Sequence, residues 1–167
     1  MFLILLLKLA FADSAGLGVG TIAIRSSSGN HRQHLGVNVW KKSCSAETAD
    51  KLESCIHYGL GLGQNIQLVP NGTMKSRVVQ SKILYGVQMG VLPLKVGFSI
   101  GVGVNGIIGG VETLIWKVQP GVMGAVELER ALGNDAKKDW LARFEANQLI
   151  YGFGSHYGMV LGVSKKW

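Results

Sequence analysis

Alternation with a period of two runs through most of the chain. From Ile56 the even positions Ile56, Tyr58, Leu60, Leu62, Ile66 and Leu68 are apolar, with His57, Gly59, Gly61, Gly63, Asn65 and Gln67 between them. Successive side chains of a β-strand point to opposite faces, so this segment predicts a strand with one apolar face and one small, polar face. Lys95 to Asn105 repeats the design, setting Val96, Phe98, Ile100, Val102 and Val104 against Lys95, Gly97, Ser99, Gly101, Gly103 and Asn105. Weaker alternation marks 33–43 through Leu35, Val37 and Val39, and 78–91 through Ile83, Tyr85, Val87, Met89 and Val91. It also marks 112–129 through Leu114, Trp116, Val118, Val122, Val126 and Leu128, and the final segment through Tyr157, Met159, Leu161, Val163 and Trp167. Near the start, Leu17 and Val19 change phase to Ile22 and Ile24, which predicts a bulge around Gly20-Thr21. Residues 138–154 fit either a strand or a helix capped by Asn134 or Asp135, because Trp140, Leu141 and Phe144 suit both; taken as extended, they make eight strands.

The connections carry turn chemistry: Ser-Ser-Ser-Gly-Asn at 26–30, Pro70-Asn71-Gly72-Thr73, Leu92-Pro93, Gly109-Gly110 and Gly133-Asn134-Asp135. Asn71-Gly72-Thr73 matches a glycosylation acceptor, but Asn-Gly between two alternating runs is already explained by a hairpin. With both termini on one side, connections 26–32, 69–77, 105–111 and the turn near Gly154-Ser155 lie at one end. Connections 44–55, 92–94 and 130–137 lie at the other. Gly101 to Gly106 satisfies G-x-G-x-x-G, and Gly97 to Gly101 satisfies G-x-S-x-G. Both lie inside a strand and lack the helix start or strand-to-helix elbow that gives such motifs meaning.

A soluble antiparallel sandwich would also alternate, but its second face would meet water and carry charge. Here that face is Gly, Ser, Asn and Gln with one Lys and one His in the two clearest strands, which suits the crowded interior of a closed barrel. Segments of about 11–14 residues are long enough for the ~9–11 residues a tilted strand needs to cross a bilayer. An open strand edge cannot be satisfied in hydrocarbon, so such strands must close. The fold class is therefore all-β: a closed antiparallel up-and-down transmembrane β-barrel of about eight strands. A soluble β-barrel or sandwich binding an apolar ligand is the competing architecture.

Composition agrees with this picture. The 167 residues include 24 glycines, 3 prolines, 47% hydrophobic and 16% charged residues. No run is long and apolar enough for a membrane helix. The formal charge of +7 comes from scattered pairs such as Lys41-Lys42, Lys137-Lys138 and Lys165-Lys166. No dense stripe interleaved with aromatics is present, so no nucleic-acid partner is expected. Residues 1–12 end in Ala10-Phe11-Ala12, the small-x-small form that precedes signal-peptide cleavage, which divides the chain into a signal peptide, 1–12, and one domain, 13–167. A buried first strand is the other reading of that run.

Cys44 and Cys55 are the only cysteines. With no histidine at ligand spacing and no C-x-x-C, they favour a disulfide over a metal or redox site, two free thiols being the alternative. Lys82, Lys95 and Lys117 share the predicted interior with Glu127, Glu129, Arg143 and Glu145, and charges enclosed there must pair. An eight-stranded barrel is just wide enough to be filled by its side chains, so a filled lumen rather than a diffusion pore is expected.

On these features the chain resembles the small eight-stranded outer-membrane proteins of Gram-negative bacteria, across residues 13–167. The resemblance implies residence in the bacterial outer membrane, contact with its lipid, and a structural or interaction role. It also implies that the last strand, through Met159, Leu161, Val163 and Trp167, carries the signal read by the barrel-assembly machinery; Lys165 departs from the usual apolar or aromatic residue. Some members resemble acyl hydrolases or acyltransferases acting on lipid A through Ser, His and an acid. Of His31, His34, His57 and His156, none sits in the deacylase's His-x-Ser arrangement, so no catalytic residue, cofactor or metal is assigned.

Overall fold

The computed structural model describes residues 14–25, 31–46, 52–69, 72–91, 93–110, 115–132, 140–152 and 154–166. They form eight strands: β1 (Ser14–Arg25), β2 (His31–Ala46), β3 (Leu52–Val69), β4 (Gly72–Val91), β5 (Leu94–Gly110), β6 (Ile115–Ala131), β7 (Trp140–Tyr151) and β8 (Gly154–Lys166). Each pairs antiparallel with its sequence neighbours, and β8 pairs with β1, closing the sheet into an up-and-down barrel. Residues 140–151 are thus a strand, not a helix, with Arg143, Glu145, Asn147 and Leu149 buried on its inner face. The leader 1–12 and Trp167 lie outside the described residues.

Register fixes the shape. Directly opposed residues run from Ser14 through Lys42, His57, Leu84, Gly101, Met123, Leu149 and His156 back to β1 at Ile24, a displacement of ten residues. With a rise of ~3.3 Å per residue and ~4.8 Å between strands, that stagger tilts the strands by about 40° and leaves an axial rise of about 2.5 Å per residue. β2 to β6, at 16 to 20 residues, are longer than the alternation suggested, while β1, β7 and β8 have 12 or 13. β5 runs through Gly109-Gly110, so the turn expected there falls at 111–114, outside the described residues. Pairing of β6 with β7 stops at Val122↔Ile150. β7 itself ends at Tyr151, one residue further on, so from Pro120 outward β6 continues paired to β5 alone.

The predicted bulge at Gly20-Thr21 is absent: β1 keeps unbroken register with β2 and β8 through both residues. The change of phase has another cause. Ile22 and Ile24 remain on the inner face and pack with Val78 and Ile107 inside the barrel, near the mouth opposite the termini. Most other apolar residues face out, among them Leu17, Val37, Leu62, Ile83, Phe98, Ile100, Val122 and Leu161. They form a belt roughly 25 Å tall on the axial rise above. Arg130 and Lys165 bound it at the terminal mouth, and Gln33, Lys75 and Arg77 at the far mouth. A water-soluble domain rarely exposes so continuous an apolar surface, whereas transmembrane barrels carry a belt of about this height.

Candidate functional site: the filled lumen

Alternation sends Lys42 of β2, His57 of β3, Lys82 and Gln88 of β4, Glu127 and Glu129 of β6, and Arg143, Glu145 and Asn147 of β7 into the lumen, where all are buried. Glu127 lies directly opposite Glu145 across the β6–β7 pair. Like charges in that position repel unless a cation stands between them. Arg143 is that cation: its Nη2 lies 3.0 Å from Glu127 Oε1 and 2.7 Å from Glu145 Oε2. Lys42 Nζ bridges Glu127 Oε2 at 2.9 Å and Glu129 Oε1 at 3.0 Å. Lys82 pairs with Glu145, which also accepts from Asn147 Nδ2 at 2.6 Å, and Gln88 Nε2 donates to Glu129 Oε2 at 2.8 Å. His57 Nδ1 is 3.0 Å from Glu127 Oε1. Three carboxylates thus meet three basic side chains, so with those six charged and the imidazole neutral the cluster carries no net charge. A buried set of ions persists only when paired in this way.

Trp40 packs against this cluster, its ring centroid 4.8 Å from the Arg143 guanidinium carbon. Two glycines make room for the indole: a Cβ on Gly162 would lie 2.5 Å from Trp40 Cη2, and one on Gly16 would overlap the same ring. The glycines that the alternation places on the inner face therefore stand against bulky lumen residues. Toward the far mouth the filling turns apolar, with Leu84, Met123, Ala125 and Leu149 packed together against Tyr151. Above them Tyr151 bonds His156 Nε2 at 3.0 Å, and His34 Nε2 lies 2.6 Å from Ser76 Oγ. Two interior cavities, one beside His57 and Glu127 and one beside Asn38 and Lys82, have volumes of about 10 Å³ each, roughly the space of a single water.

Of the charges assigned to the interior from the sequence, Lys82, Glu127, Glu129, Arg143 and Glu145 meet in one cluster. Lys95 sits lower, at the terminal mouth, bonded to Glu53 at 2.9 Å, and Lys117 has the inward phase but is exposed at the far end. Lys42 and His57 complete the cluster without having been singled out. Their signal was their phase, shared with Trp40 and with Gly59 respectively. Cys44 and Cys55 lie directly opposite each other on β2 and β3 and form a disulfide at the terminal mouth. Met159, Leu161 and Val163 face outward on β8.

Two groupings invite a chemical reading. His57, Glu127 and Glu145 offer donor atoms within 4.8 Å of one another, as a metal site would. Lys42, Lys82 and Arg143 already occupy those carboxylates and balance their charge, so the donor set is built as ion pairs. His34 and Ser76 have the contact of a nucleophile with its base, but His34 Nδ1 has no partner among the described residues. A triad would place a carboxylate there.

No family model and no curated protein matches the chain. Its fold matches solved structures at low sequence identity. The attachment invasion locus protein of Yersinia pestis superposes with a TM-score of 0.67 at 6% identity, over 94% of this chain and 100% of that one. Neisserial surface protein A gives 0.59 at 12% identity, over 92% and 96%. The N-terminal β-barrel domain of Pseudomonas aeruginosa OprF gives 0.51 at 11%, over 93% and 98%. The chain thus shares the eight-stranded barrel fold of these outer-membrane proteins.

Proposed function

We propose that this chain is a Gram-negative outer-membrane barrel with a structural or interaction role, and that it is closed to diffusion. The observation that carries this reading is the lumen, where a neutral ion-pair layer and an apolar layer lie one above the other. The broad apolar belt and the likeness in fold to small outer-membrane barrels support the location. All four connections at the far mouth, 26–30, 70–71, 111–114 and 152–153, are five residues or fewer. Outer-membrane barrels usually carry longer loops on their outer side. Any partner is therefore met by the rim and the outer wall of this barrel rather than by long loops.

Export and assembly belong to the same reading. Residues 1–12 act as a leader cleaved after Ala12, and Met159, Leu161, Val163 and Trp167 form the strand recognised by the barrel-assembly machinery.

The test is gel mobility with and without boiling, together with planar-bilayer conductance. The folded protein should partition into detergent, migrate differently from its boiled form and leave the bilayer at baseline conductance. Solubility without detergent would overturn the membrane reading, and a steady open-channel current would overturn the closed lumen.

A further inference from the structure

Among the described residues, the outer wall carries one charge inside its apolar belt, Lys41. Lys165, Ala15, Lys41, Tyr58 and Ile83 form a continuous cross-strand row on the outer face of β8, β1, β2, β3 and β4. Because such rows climb around a barrel of this stagger, Lys41 sits about 6 Å further into the belt than Lys165. It is exposed there, with no ion-pair partner among the described residues. Elsewhere on the outer face Gln148 donates to Tyr157 Oη at 3.2 Å.

Beside Lys41 lies a groove of about 510 Å³. Small Ala15 and Ser81 mark its ends, and Val39, Tyr58, Leu60 and Ile83 make it apolar. It extends about 14 Å along the barrel axis, from Ala15 to Ser81. An apolar trough that rises through the belt, with a cation near its water-facing end and a tyrosine beside the cation, matches one acyl chain and its headgroup. A lysine stem is long enough to carry its ammonium down to the headgroup level while its methylenes stay in the belt.

We propose that this groove is a binding site for one anionic glycerophospholipid of the leaflet at the terminal mouth. An acyl chain lies along Val39, Tyr58, Leu60 and Ile83, and the phosphate is held by Lys41. This rests on the membrane reading above. Charge complementarity favours lipid over a second copy of the chain, because a twofold contact on this face would bring Lys41 against its own symmetry mate. An anionic headgroup instead neutralises a cation that the wall leaves unpaired.

The full chain, reconstituted in phosphatidylcholine vesicles, would be titrated with spin-labelled phosphatidylglycerol and, separately, spin-labelled phosphatidylcholine. The readout is the motionally restricted fraction. Phosphatidylglycerol should be preferred several-fold. Lys41→Gln should bring that preference close to one, while Arg130→Gln, at the belt's edge, leaves it unchanged. Ser81→Phe, which fills the groove without changing charge, should also remove the restricted component. Equal selectivity in the parent and Lys41→Gln would overturn the site. Loss in Lys41→Gln but not in Ser81→Phe would overturn the groove, and stronger selection of lipid A than of phosphatidylglycerol would overturn the assigned lipid. Each variant must show the boiling-dependent mobility shift. A parent chain lacking that shift and giving no restricted component with either lipid would fail the membrane reading itself, a result distinct from all of these.

Discussion

Lys82 and Glu145 face each other across the lumen, and each holds a charge that water cannot reach. Removing one partner strands the other, which typically costs about 3–5 kcal/mol, whereas replacing both with apolar residues of similar size is often close to neutral. Lys82→Met is therefore expected to lower stability to denaturant in detergent by about 3 kcal/mol. Lys82→Met with Glu145→Leu should recover more than half of that loss; a double variant as unstable as the single would show that the two do not act as a unit. Glycine positions divide in the same local way. A Cβ on Gly101 would overlap the Ile83 carbonyl oxygen of the neighbouring strand, while one on Gly106 meets nothing nearer than 3.9 Å. Gly101→Ala should reduce the folded fraction on gels, and Gly106→Ala should match the parent. At this scale the phase of alternation told which face a side chain takes but not its height. Lys117 and Lys82 both have the inward phase, yet one ends above the wall and the other in the ion-pair layer.

The β2–β3 pair is the element with a covalent tie. Cys44 and Cys55 are directly opposed, so the bond locks the register that sets Lys42 against His57 two residues further along each strand. A closed loop of this size contributes about 2–3 kcal/mol on the chain-entropy model. The double variant Cys44→Ser, Cys55→Ser should fold to the same heat-modifiable form with a lower denaturation midpoint. Thiol titration of the unreduced parent should find no free thiol. The pairing was open to reading because two cysteines have one partner choice. The phase change in β1 misled because it looks the same in sequence whether a strand bulges or its inner face turns apolar. Ile22 and Ile24 belong to the second case, and only their packing against Val78, three strands away by sequence order, separates the two.

For the whole molecule, the two layers of filling lie in series along one axis, which makes the barrel's closure redundant. Replacing Leu84, Met123 and Leu149 together by Ala empties the far layer but leaves the ion-pair layer intact, so bilayer conductance should stay at baseline. Current should rise only when Arg143→Ala and Glu145→Ala are added; a channel opened by the first set alone would show that the ion-pair layer does not seal. Sequence by itself determined the alternation, and with it the class of fold, the apolar exterior and the glycine-rich inner wall. These depend on local geometry, since a strand's side chains alternate whatever it pairs with. The tertiary structure decided which inward residues meet. A ten-residue stagger accumulated over eight pairings sets the height of every side chain, so Lys42, His57, Lys82, Glu127, Arg143 and Glu145, drawn from five strands, come within reach of one another. No single segment encodes that sum.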